Sequence, residues 1–148
     1  MLGFLEIMLG APLTATAREE TFAGVVANRT PEAAMDFLRW GAGHNTEKSG
    51  ALLGAQAIFV VVDTFVLDRG WPKSIVLASL FLLLAAALVL MTNLRNTMRA
   101  WRLARSADAQ LRHVFAMSVS RTIRFNLALY LTFLSIVLLG AATAGFLR

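Results

Sequence analysis

The sequence predicts an all-α integral membrane protein with three transmembrane helices, cytoplasmic N-terminal helices and a basic cytoplasmic helical hairpin between spans two and three. Two observations carry that fold class and a third orients it. Of 148 residues, 57% are hydrophobic and 16% charged, more apolar surface than one domain of this size can hide from water. Three apolar runs each approach the roughly 20 helical residues that cross a hydrocarbon core. The formal charge of +5 is concentrated in the segment between the last two runs, and basic loops mark the cytoplasmic side.

The N-terminal stretch, Met1 to Glu19, has an apolar run followed by Ala15-x-Ala17, the spacing of a signal-peptidase site. It lacks a basic leader, and Glu6 interrupts it, so cleavage is not expected. Leu2, Leu5 and Leu9, with Phe4, Met8 and Ala11, recur every three to four residues. This spacing suits a short helix at the membrane interface or against a neighbouring subunit, ended by Gly10 and Pro12. A second helix is expected from Thr30-Pro31-Glu32, with threonine as cap, proline in the first turn and glutamate complementing the dipole. It should run to about Trp40 and loosen at Gly41-Ala42-Gly43. Asn45 or Thr46 would then cap the helix that enters the membrane. Residues 1–48 thus form a cytoplasmic or interfacial helical region, and residues 49–148 a three-span domain.

The first span is Gly50 to Leu67, interrupted by Gln56, Asp63 and Thr64; the second, Ser74 to Leu94, has no ionisable group; the third runs from Phe125 to Leu147. Between the second and third lie Arg95, Arg99, Arg102, Arg105, Arg112, Arg121 and Arg124 against the single acid Asp108. That loop is placed in the cytoplasm, with the N-terminus beside it and the C-terminus in the periplasm.

On a helical wheel, Ser49 and Asp63 fall about 20° to either side of Gln56, because seven residues make nearly two turns. A narrow polar stripe results. Beside it run Gly50, Gly54, Ala57 and Val61, a small-residue face that allows close helix approach. Assembly of several copies through the small face would turn Ser49, Gln56 and Asp63 toward a lumen or a polar bundle interior. Two plainer roles compete: Asp63 at the outer interface near Arg69 or Lys73, and Gln56 as a hydrogen-bonding contact between helices.

In the basic segment, Arg95, Arg99, Arg102 and Arg124 share one side of a helical projection. Ala104, Ala107, Leu111, Phe115 and Ser118 share the other. Spans two and three are therefore expected to extend as amphipathic helices that turn near Ser106 to Asp108 and pack their apolar sides together. The arginines, Arg99, Arg102 and Arg121 among them, suit anionic lipid headgroups first and a phosphate-bearing ligand second. Salt bridges to Glu19, Glu20, Glu32 and Asp36 are a third use, and nucleic acid is not an expected partner. His44, Asn45 and Lys48 cluster before the first span, either as an interfacial anchor or as a site for a small anion. No cysteine exists, His44 and His113 lie far apart, and no catalytic or phosphate-binding signature occurs. Neither a metal site nor an enzyme is expected.

The run Asn45-Thr46-Glu47-Lys48-Ser49-Gly50-Ala51-Leu52-Leu53-Gly54, a polar turn leading straight into Ala-Leu-Leu-Gly, is followed by a second span, a basic helical pair and a last span. Over about residues 40–147 this resembles the small Pycsar transmembrane effectors of bacterial antiphage defence. The resemblance implies a cyclic mononucleotide as ligand and impairment of the inner membrane as output. The chain is expected to form a homo-oligomer in the bacterial inner membrane. The competing reading is a constitutive membrane scaffold or accessory subunit without pore activity; a small transporter subunit is a third, disfavoured by the lack of broken helices and paired charges.

Overall fold

The computed structural model describes residues 2–69, 73–94 and 106–146, all but their short turns helical. The helices are α1 (Leu2–Leu9), α2 (Ala15–Val26), α3 (Pro31–Asp68), α4 (Lys73–Leu94) and α5 (Ala107–Phe146). Three of them, α3, α4 and α5, are long and apolar enough to cross a membrane. The first and second expected spans lie inside α3 and α4, and the third lies inside α5 as far as Phe146, Leu147 being outside the described residues.

The bundle formed by α3, α4 and α5 is apolar outside and mixes polar with apolar side chains within. Large side chains such as Ile58, Phe65, Phe81, Leu88 and Phe133 are more than half exposed, whereas the buried positions include Ser49, Gln56, Asp63, Ser79, Asn93, Thr132 and Ser135. A water-soluble domain exposes far fewer large apolar side chains and buries fewer polar ones, and lipid tails would cover this exterior. Packing follows a seven-residue period. On α3, Ser49, Gln56 and Asp63 recur at that interval; on α4 the buried residues Val76, Ser79, Leu83, Ala86, Leu90 and Asn93 alternate three and four apart. This is the spacing of helices that wrap with a left-handed twist and keep one seam in contact.

Two of the three helices are longer than a membrane crossing requires. At 1.5 Å per residue, the 40 residues of α5 extend about 60 Å, twice a hydrocarbon core. The surplus lies at its N-terminal end, beside the surplus of α3, and α2 packs over the pair. Their shared core contains Ala11, Phe22, Ala34, Leu38, Leu111, Val114, Phe115 and Val119. Phe22 and Phe115 meet edge to face at 5.4 Å. Arg112 lies 4.6 Å over the Phe22 ring and bonds both oxygens of Glu19 at 2.9 Å.

One expectation is corrected here. Helix α3 does not loosen at Gly41-Ala42-Gly43, and neither Asn45 nor Thr46 caps a new helix. The expected start at Thr30 holds: its hydroxyl accepts from the Ala33 amide, and Pro31 occupies the first turn. The glycines cost helix propensity of about 1 kcal/mol each, offset by burial of Ala34, Leu38 and Ala42. A Cβ on Gly41 would lie 3.8 Å from the Ser118 hydroxyl, so α5 comes close at the predicted break. Leu111 and Phe115 pack on the N-terminal helices, in the core that holds Phe22, Ala34 and Leu38. The first arm of the expected hairpin, residues 95–105, and Ala104 with it, lies outside the described residues.

Helix α1 packs on this chain's own α5: Asn126 Nδ2 donates to the Leu9 carbonyl at 2.6 Å and Tyr130 to the Met8 carbonyl at 2.9 Å. Gly10 ends α1 at φ +59°, and a Cβ there would lie 3.0 Å from Asn126 Nδ2, so glycine suits both the left-handed conformation and the close approach. Glu6 then organises the following turn. Its carboxylate accepts from the amides of Leu13 and Thr14, and Thr14 in turn caps α2. These two backbone donors hold the Glu6 carboxyl below the usual carboxylate range.

Candidate functional site

The polar groups of the bundle form a spine in three layers. At the end nearest the Phe22–Phe115 core, Asn93 Nδ2 of α4 donates to the Arg121 carbonyl of α5 at 3.0 Å and to Ser49 Oγ of α3 at 3.3 Å. Ser49 Oγ donates to the Asn45 carbonyl, and Asn45 Nδ2 donates to Thr122 Oγ1 at 2.8 Å. In the middle, Gln56 Nε2 donates to Thr132 Oγ1 at 2.6 Å, and that hydroxyl donates to the Ala128 carbonyl. At the opposite end, Ser79 Oγ donates to Asp63 Oδ2 at 2.7 Å and lies 2.8 Å from Ser135 Oγ. An apolar layer containing Ala86, Leu90 and Ala128 is packed by Leu52 and Leu53, and Val66, Val76 and Ala142 close the end beyond Asp63.

Physical chemistry explains why these side chains meet. With no water in hydrocarbon, each polar group in a span must find a protein partner, and hydroxyls and amides on facing helices supply one another. Among the described residues, three buried side-chain acceptors remain without one: Gln56 Oε1, Asp63 Oδ1 and Asn93 Oδ1. An unpaired buried carbonyl costs about 1–3 kcal/mol, and an uncompensated buried carboxylate several kcal/mol. The spine therefore holds the helices in register while retaining unmet hydrogen-bonding capacity.

No family model, no curated protein and no solved structure matches the chain. Function is thus argued from the positions of the residues.

Ser49, Gln56 and Asp63, the stripe read from sequence, are brought together and buried inside a single protomer. The adjoining small face lies outside: Gly50, Gly54, Ala57 and Val61 are exposed, and no heavy atom would lie within 4 Å of a Cβ at either glycine. Among the described residues, the anion-site candidates His44, Asn45, Lys48 and Arg121 are not gathered into one pocket. His44 stacks on Trp40 at 5.4 Å and lies 3.9 Å from Glu47, both on the outside of α3, and Lys48 is exposed nearby. Asn45 points instead to Thr122, and Arg121 donates to the Ala42 carbonyl and to Thr46 Oγ1. Those two side chains join α3 to α5 at the end of the spine. Arg99 and Arg102 lie outside the described residues. Of the expected salt bridges to the N-terminal acids, Arg112 with Glu19 forms.

Sequence reasoning missed the partners of the stripe, Ser79, Asn93 and Thr132, and the hydroxyls of Thr122 and Ser135 that bond Asn45 and Ser79. A signal existed for two of them. Ser79 and Asn93 are fourteen residues apart in an otherwise apolar run, two full seven-residue periods and hence one face of a wrapped helix.

Proposed function

We propose that this chain is a non-enzymatic effector of the bacterial inner membrane that self-associates and impairs membrane integrity, as the resemblance to antiphage-defence effectors implies. Its N-terminus and the arginine-rich segment lie in the cytoplasm in this reading, and its C-terminus in the periplasm. The observation that carries the proposal is the outward small-residue face of α3, with Gly50 and Gly54 open to the approach of another helix. The buried stripe is then the closed state of the same device. Ser49, Gln56 and Asp63 line a conducting path only when α3 parts from α4 and α5, so an isolated protomer is silent. A phosphate-bearing signal, in this reading a cyclic mononucleotide, would bind at the cytoplasmic end, where His44 and Lys48 face outward and Arg99 and Arg102 follow in the chain.

A second reading is favoured by the completeness of the intramolecular contacts at Ser49 and Thr132: a constitutive scaffold, whose polar groups simply join its helices. Dye release from liposomes separates the two. The effector reading expects leakage that rises with protein density and with added cyclic mononucleotide. Gly50→Leu with Gly54→Leu should suppress that leakage at least tenfold without loss of helicity, because their side chains would enter open space in the protomer. Folded, oligomeric protein that never leaks would establish the scaffold.

A further inference from the structure

Asp63 is the one ionisable side chain among the buried residues described, fully enclosed together with Ser79 and Ser135. The buried positions flanking it on α4 are Val76, Ser79 and Leu83; on α5 they are Thr132, Ser135 and Ala142. None is charged. The charged residues at that end of the bundle, Asp68, Arg69 and Lys73, are exposed, and no ion pair to Asp63 occurs among the described residues. A lone carboxylate in such a place lacks its positive counterpart.

We propose that Asp63, Ser79 and Ser135 form a binding site for one monovalent cation, a proton or a sodium ion, whose single positive charge neutralises the carboxylate. The donor set is oxygen only. Asp63 Oδ1 has no hydrogen-bond partner, Asp63 Oδ2 and Ser135 Oγ lie 2.7 and 2.8 Å from Ser79 Oγ, and the Ser135 carbonyl lies 3.3 Å from it. Hard oxygen ligands suit an alkali ion, and one carboxylate balances one charge rather than two. The same spacing accepts a proton. Hydroxyl hydrogens reorient without movement of heavy atoms, so a protonated Asp63 donates from Oδ2 to Ser79 Oγ, and Ser79 then donates to Ser135 Oγ. Oδ1 becomes a neutral carbonyl, which is far cheaper to leave unpaired than a charge. The site stands whether the protein is an effector or a scaffold.

Infrared difference spectroscopy of the full-length protein in phosphatidylcholine/phosphatidylglycerol vesicles tests it, because a neutral carboxyl and a carboxylate absorb at different frequencies. The Asp63→Asn spectrum identifies the band. Carbodiimide modification of the unsubstituted protein, located by mass spectrometry, identifies it if that variant fails to fold. A neutral-carboxyl band that persists between about pH 5 and about pH 9, or is lost on raising pH regardless of salt, is the proton. A signal at fixed pH that changes with sodium chloride and not with choline chloride is the sodium ion. Where the signal changes with pH or sodium, Ser79→Ala should shift its midpoint by about tenfold in proton or sodium concentration, roughly one pH unit, and where the band persists it should bring its loss into that pH range. An Asp63 that absorbs only as carboxylate across that range, unchanged by sodium, overturns the proposal.

Discussion

Gln56 gives one hydrogen bond to Thr132 and leaves its own carbonyl oxygen unpaired, so its net contribution to folding is small by construction. Thr132 keeps its bond to the Ala128 carbonyl when the amide is removed. Gln56→Leu is therefore expected to change stability by less than about 1 kcal/mol in thermal unfolding monitored by circular dichroism. The same variant should abolish dye release if the stripe conducts. Glu6 gives a pH dependence at the same scale. Backbone amides hold its carboxyl below the usual range, so the ionised form supports the α1–α2 turn. That support is complete above the usual carboxylate range and is lost as pH falls through the lowered value. The Leu13 and Thr14 amide resonances should report this transition, and Glu6→Gln should remove it.

Among the elements, the membrane spans were legible from hydropathy and the first-span stripe from its seven-residue spacing, because both are local properties of a helix. What those features face was not. The sequence around Gly41, Ala42 and Gly43 carries the local signature of a break, yet α3 is continuous because α5 packs against it, a contact between residues far apart in the chain. The apolar side of α5 at Leu111 and Phe115 was equally legible, and its partner, α2 with the start of α3, was not. That partnership predicts the outcome of Phe115→Ala. Removing a ring packed on Phe22 and surrounded by Leu38, Leu111 and Val119 should cost about 3–5 kcal/mol. The loss should appear as early proteolytic cleavage of residues 1–30 while the three-span bundle stays folded.

For the whole molecule, the proposed orientation has a direct check, because the chain contains no cysteine. A membrane-impermeant thiol reagent added to intact cells should label Asp68→Cys and spare Asp108→Cys; lysis should expose both. The reverse pattern would invert the topology. The buried stripe also constrains the order of assembly. As the chain is made, α3 reaches the membrane before any partner, with Asp63 carrying an insertion penalty of up to about 3 kcal/mol near the centre of a span and less toward its end. Ser79 follows sixteen residues later, but Thr132, the partner of Gln56, follows only after seventy-six. The first two helices therefore enter lipid most readily as a pair, and that pair waits with a half-covered polar edge until α5 is synthesised. During that interval Gln56 is open to any passing helix with a hydroxyl or amide to offer, including the α5 of another nascent chain. Exchange of the last helix between copies is thus a hazard, or an opportunity, set by synthesis itself.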